Sequence, residues 1–367
     1  MRVAVVGCGA MGAATAWRLQ KRGADVVCFD CYSPPHDIGS THGESRVTRT
    51  AYFEGPWYVP LLQETFGMWR ELEADSKQQL LTLTGLLMIG APDSEAVVAS
   101  QEAAKEHGLE IKVLDASELR RTYPGHIVGD GEVAVFDPQA GFLRVEGIVA
   151  AMTRELNLRR DTQVTRVEPK AGAVEVATAK GAELFDAAVI ATGPWMSELV
   201  PFLPLKVERQ VLVWLAIQSG ADWFSPDRFP VWIREGTPQG DVYGLPSLDG
   251  RSIKLARHHG GEIVDPATVR RAATDADLDP LRLFVTKYLH GVTRHVIRSA
   301  VCLYTNTPDQ HFAIGPHPES ARVVILSACS GHGFKFAPVV GDIAADLVLE
   351  GGTRRDISHF SLERFSQ

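Results

Sequence analysis

The chain has 367 residues, enough for about two domains at ~150 residues each. Its 45% hydrophobic and 22% charged residues are those of an ordinary globular protein and exclude extensive disorder. With 37 Lys and Arg against 45 Asp and Glu the formal charge is −8. No nucleic-acid or anionic-membrane partner is expected, because those need clustered cations, but a local basic pocket stays open.

In chain order the pattern opens as strand, glycine turn, helix, strand. Arg2–Val6 is a short β-branched run of the kind buried in parallel sheets. Ala13–Arg22 is helix-like, with Gly23 as its C-terminal stop, and Asp25–Phe29 is a second strand ending at Asp30. Ser33–Arg49 is polar and rich in Gly, Pro and His, which predicts a long functional loop. Tyr58–Glu73 predicts an amphipathic helix, Leu81–Ile89 and Glu132–Phe136 strands, and Glu95–His107 a polar helix between them. Phe142–Leu156 reads as helix. Gln163–Glu168, Ala173–Thr178 and Ala182–Phe185 read as an antiparallel meander leading into the strand Ala187–Ala191. Val207–Ile217, Val231–Arg234 and Ser252–Ala256 predict a further sheet, and Pro280–Leu289 a helix. Val323–Leu326 is a strand, Ser330–Lys335 a turn, and Val339–Leu349 a closing helix stopped by Gly351 and Gly352. No flexible linker separates these elements, so the domains are expected to interleave.

Five scattered cysteines, Cys8, Cys28, Cys31, Cys302 and Cys329, do not form a disulfide framework. Cys28 and Cys31 make a C-x-x-C, but nothing nearby completes a zinc site, so no metal is expected. Val3–Trp17 is uncharged and superficially like a targeting segment, yet it carries Gly7, Gly9 and Gly12, a costly choice in a targeting helix. No apolar run of transmembrane length occurs elsewhere, and a cytoplasmic, reduced protein is expected.

Gly7-Cys8-Gly9-Ala10-Met11-Gly12 matches G-x-G-x-x-G between a strand and a helix. Gly7 permits the tight turn, Gly9 lets backbone approach a pyrophosphate, and Gly12 allows close helix–strand packing. The helix N-terminus offers unpaired N–H donors to phosphate. Asp30, at the end of the second strand, suits a ribose hydroxyl. This fingerprint alone does not distinguish FAD from NAD. The Ala191-Thr192-Gly193 strand end and the C-terminal strand–glycine turn–helix with Gly331 and Gly333 favour FAD.

Several segments together resemble the monomeric sarcosine oxidase and N-methyltryptophan oxidase family of flavoenzymes. The most specific are Ser33–His36 leading into Ser40–Arg46, then Cys302–Asp309 and Ser330–Phe336, and the resemblance runs nearly end to end. It implies an α/β fold: a Rossmann-like FAD-binding domain, of the glutathione reductase and p-hydroxybenzoate hydroxylase type, interleaved with a mixed-sheet α+β substrate domain. Residues 1–83, 137–205 and 308–367 would form the first, and 84–136 and 206–307 the second. It also implies that Cys302 bonds covalently to the flavin and that Lys254 lies over it to activate oxygen. A cation ~4 Å from a developing negative charge gains about 4 kcal/mol at an effective dielectric near ~20. Arg49 and Lys335 match the pair holding the substrate carboxylate, a planar fork beside a point charge. Arg46 and His42 match residues near the flavin ring, and Tyr243, His258 and Tyr304 match residues shaping the pocket. His259 gains no role.

The implied reaction is oxidation of an N-methyl or cyclic secondary amino acid to an imine that hydrolyses, with O2 as acceptor and H2O2 as product, by a monomer. Thr41 departs from the histidine often found there, and Val231–Asp241 fits the family's pattern poorly, which leaves substrate size open. Three other readings stand beside it: a flavin dehydrogenase using another acceptor, an NAD-dependent dehydrogenase, and a non-catalytic flavin-binding protein.

Overall fold

A run of β-branched and small residues, Arg2–Val6, lies between two parallel neighbours, Asp25–Phe29 and Ala187–Ile190. The computed structural model describes residues 1–365, whose strands form four sheets. In the six-stranded sheet the order is Ala313–His317, Ser320–Ser327, Ala187–Ile190, Arg2–Val6, Asp25–Phe29, Asn157–Arg159. All neighbours are parallel except the Ala313–His317 edge. Because side chains alternate along a strand, Val3 and Val5 enter one core while Ala4 and Val6 enter the other. Helices Ala10–Lys21 and Ala337–Glu350 cover the first face. They pack so closely that a Cβ on Gly341 would lie 2.6 Å from the Ala14 carbonyl carbon. The meander Val164–Lys170, Ala173–Thr178, Gly181–Phe185 covers the second, contributing Val174, Val176 and Phe185.

The nine-stranded sheet draws its strands from between Leu86 and Asn306. Its longest pairing is antiparallel, Lys206–Ile217 against Val292–Asn306. Alternation again sorts the faces. Val213, Leu215, Ile253 and Leu255 pack beneath helix Asp275–Tyr288, while Leu212, Trp214, Ala256 and Cys302 turn to the opposite side. That side faces the six-stranded unit. A small sheet, Ser45–Thr48, Gly141–Arg144, Leu81–Leu83, carries the residues around Arg46. Among the described residues no helix is long and apolar enough to cross a membrane.

Several elements differ from expectation. The loop predicted over Ser33–Arg49 ends in the strand Ser45–Thr48. Phe142–Leu156 begins as strand, because Gly141–Arg144 pairs on both sides, and becomes helix only at Val145. Leu81–Ile89 splits at Gly85, whose φ of +74° interrupts the pleat. The helix predicted from Pro280 starts at Asp275, set by a capping box between Thr274 and Asp277. Strands Val292–Asn306 and Ala313–His317 are not among the expected elements.

Candidate active site

In the first turn two of the three glycines have no room for a side chain. A Cβ on Gly7 would sit 2.5 Å from the Ala191 carbonyl oxygen, and one on Gly12 only 1.8 Å from that of Gly7. Gly9 is different: the nearest atom to its added Cβ would be Thr41 Oγ1 at 3.4 Å. Helix Ala10–Lys21 has no acid in its first turn, and its Ala10 N–H donates to Thr41 Oγ1 at 3.2 Å, a neutral partner that leaves the helix end positive. Asp30 receives the Cys8 N–H at 2.7 Å and the Tyr32 N–H at 2.8 Å, one on each carboxylate oxygen. Burial raises its pKa against those two bonds, and each oxygen retains a lone pair for a hydroxyl.

These groups line one cavity of about 640 Å³, whose wall also includes Ser40, Arg46, Arg49, Gly193, Tyr243, His258, Cys302, Tyr304, Gly331, Gly333 and Lys335. Its volume lies within the ~300–1,000 Å³ usual for ligand sites. The fold therefore gathers most of the expected residues onto one surface. Three do not reach it. Gly12 lies behind the turn, as close packing requires, and His42 and Lys254 are buried behind the wall.

Lys254 Nζ donates to the carbonyls of Gly43 at 2.6 Å and Ser45 at 2.5 Å. Burial, then the charge of Arg46, hold its pKa well below the usual lysine value. Arg46 stands in front of it, donating to Ser45 O and Ser40 O at 3.0 Å and to Cys302 Sγ at 3.3 Å. Lys254, expected over the flavin, thus lies behind the wall, and at this end of the cavity Arg46 is the cation that lines it. The same cation acts on Cys302. Burial alone would raise this thiol, but Arg46, then His42 and Lys254, outweigh it and bring the pKa to about 7. The other cysteines are free as well, and Cys31 of the C-x-x-C is exposed while Cys28 is buried.

At the far end Arg49 and Lys335 meet. Arg49 Nη2 donates to both oxygens of Glu54 at 2.5 Å, and its guanidinium lies over the rings of Tyr52 and Phe53. Burial opposes the charge of Glu54, yet Arg49, with His332 and Lys335, holds its pKa at about 2. Arg49 Nη1 is buried with no hydrogen-bond partner among the described residues, as are Ser40 Oγ and His42 Nε2. Lys335 Nζ donates to His332 O at 2.6 Å and Tyr52 OH at 3.2 Å. Burial, then Arg49, lower its pKa to about 7. Desolvation among Tyr243, Tyr304 and His259 pushes His258 down to about 3, so it is neutral.

The residues fit a dinucleotide flavin. A backbone cradle at one end suits phosphate, Asp30 suits a ribose, and Ser40 Oγ and Arg49 Nη1 are unpartnered groups at the cavity wall. Sequence reading missed Glu54, Tyr52 and His332. Glu54 is the lone acid between Arg49 and Gln63, a signal that could have marked it as a partner. Among the described residues no cluster of His, Cys, Asp and Glu could hold a metal.

A family model described as FAD dependent oxidoreductase matches residues 2–347. The monomeric sarcosine oxidase of Bacillus sp. (strain B-0618) is 39% identical, the alignment covering 99% of this chain and 95% of that protein. The N-methyl-L-tryptophan oxidase of Yersinia pestis (strain Pestoides F) is 33% identical over 98% of both. Among solved structures, NikD, an unusual amino acid oxidase essential for nikkomycin biosynthesis, superposes with a TM-score of 0.87 at 25% identity, covering 98% of this chain and 96% of that one.

Proposed function

The chain belongs to the FAD-dependent oxidoreductase family, and from that premise we propose that it oxidises N-methyl or cyclic secondary amino acids at the carbon next to nitrogen. The observation that carries this reading is the pairing of Arg49 and Lys335 on the wall of a cavity whose other end is a glycine cradle. A fork and a point charge fix a carboxylate in two dimensions. Held there, an amino acid presents its N-substituted carbon along the wall formed by Tyr243, His258 and Tyr304. Neutral His258 adds no positive charge against the amine, and the aromatic rings exclude water from the reacting carbon. FAD, when bound, supplies the electron acceptance, and the imine product hydrolyses in water. The protein's contribution is position.

The same reading assigns Cys302 as the covalent tether, on the strength of its nearby cation and its lowered pKa, since the thiolate is the reactive form. It assigns O2 as the acceptor, with Arg46 at the wall and Lys254 behind it as the cations that stabilise negative charge during reoxidation. A monomer acting in the cytoplasm completes it. The deciding experiment is anaerobic: the purified yellow protein is mixed with sarcosine, N-methyl-L-tryptophan, L-pipecolate and glycine. Bleaching by secondary amines and not by glycine is expected, with O2 uptake and H2O2 on readmitting air. A flavin bleached by none of the secondary amines would end the proposal, and bleaching without O2 uptake would leave a dehydrogenase.

A further inference from the structure

Lys335 does not stand alone in the cavity wall. Its Nζ reaches the hydroxyl of Tyr52 at 3.2 Å, that hydroxyl lies 2.8 Å from His332 Nδ1, and His332 Nε2 lies 2.9 Å from the carbonyl oxygen of Gln310. All three side chains are buried. The last contact sets the direction of the whole chain. A carbonyl only accepts, so Nε2 must carry the imidazole hydrogen. Burial also depresses the pKa of His332 to about 4, keeping the ring neutral. Nδ1 is then a bare acceptor and takes the Tyr52 O–H, which turns the lone pairs of the Tyr52 oxygen towards Lys335.

The ring cannot rotate out of this arrangement freely. His332 stacks on Phe312 at 5.1 Å and meets Tyr52 and Tyr58 edge to face. Around Lys335 the other charged groups are Arg49, which disfavours its charge, and Glu54, which favours it. Thr65 and Trp69, from helix Val59–Ser76, bond only its carbonyl. Two of the three ammonium hydrogens are thus taken by His332 O and Tyr52 OH, leaving one for a ligand at the cavity.

We propose that Tyr52 and His332 are positioning residues, a one-way hydrogen-bond chain that holds Lys335 as an ammonium and so extends carboxylate recognition towards alkaline pH. This rests on the reading that Lys335 binds the substrate carboxylate. In it both act through Lys335: Tyr52 lies behind the cavity wall, and His332, which borders the cavity, acts through its bond to Tyr52. A neutral lysine would lose the charge that attracts the carboxylate, so the affinity should fall as pH rises through the Lys335 titration.

The test uses flavin-loaded protein and propionate, a carboxylate with no amine to oxidise, titrated by calorimetry between about pH 5.5 and 9. For the wild type Kd should be flat in acid and rise above a break near 7, the value to which Lys335 is lowered. In Tyr52→Phe the break should move to lower pH by about one unit, which weakens binding about tenfold on the alkaline side. His332→Phe, which keeps a ring but removes the acceptor, should move it in the same direction. Tyr58→Phe is the packing control, because Tyr58 OH bonds His311 and not Lys335, and it should leave the break in place. An unmoved break in both Tyr52→Phe and His332→Phe, or an equal move in Tyr58→Phe, overturns the chain. Lys335→Met separates the two layers. Propionate binding that survives it unchanged overturns the carboxylate reading itself, whereas weakened binding with an unmoved Tyr52→Phe break overturns the chain alone.

Discussion

The two ends of the cavity are made of different materials. At the glycine end the wall is largely backbone: Gly7, Gly9 and the N-terminus of a helix, with the buried Asp30 carboxylate beside them. At the Arg49–Lys335 end it is side chain: Arg49, Glu54, Lys335, Tyr52 and His332 in a mutually compensating set of charges and hydrogen bonds. At the first end Gly7 and Gly12 admit no added atom, whatever its chemistry, while Gly9 has room for one. The second tolerates changes of shape better than changes of charge, because each buried charge there is held by another.

Substitutions can break this contrast. The largest effect is expected for Gly12→Val, whose Cβ would fall 1.8 Å from the Gly7 carbonyl oxygen; backbone cannot yield that far, so the purified protein should lack visible flavin absorbance and melt early. Gly9→Ala, with its nearest atom at 3.4 Å, should keep the fold and lose only FAD affinity. Next is Lys254→Met. If the buried cation acts through the Ser45 carbonyl beside Arg46, stopped-flow reoxidation by O2 should slow by up to about three powers of ten while anaerobic reduction changes little. Unchanged reoxidation would move that role to Arg46.

Glu54→Gln probes the charged end through pH. The folded pKa of Glu54 is depressed to about 2, so its stabilising share is complete above the unfolded value near 4.5 and disappears as pH falls towards 2. That share is about 3 kcal/mol. Melting temperatures of wild type should therefore fall more steeply than those of Glu54→Gln between about pH 5 and 3. The smallest effect is expected for Cys302→Ser. If the backbone cradle supplies most of the binding and the proposed tether exists, wild type should retain its flavin on acid precipitation, whereas this variant should still purify yellow but release it. Colourless protein would mean that the tether, and not the cradle, holds the cofactor.

The legibility of the chain follows the same division. G-x-G-x-x-G and Asp30 could be read directly, because a turn that needs positive φ and close backbone approach admits few residues, and all of them lie within 30 positions. The short buried strands around it were legible for the same reason: their neighbours on both faces demand an unbroken apolar run. Strand Val292–Asn306 was not, since its first half is largely exposed and polar, and it is strand because Lys206–Ile217 pairs along it. Most of the residues implied by family resemblance reached the cavity, His42 and Lys254 excepted, but their relations did not come with them. Arg49 with Glu54 and Cys302 with Arg46 are pairings of charge decided by burial. Tyr52 and His332 lie 280 positions apart, a separation at which no local pattern operates. Local pattern was enough to show where backbone must come close to a ligand; which cation faces the cavity, which stands behind it, and how far burial pushes each towards its neutral form came from the assembled fold, because they depend on desolvation by elements distant in the chain.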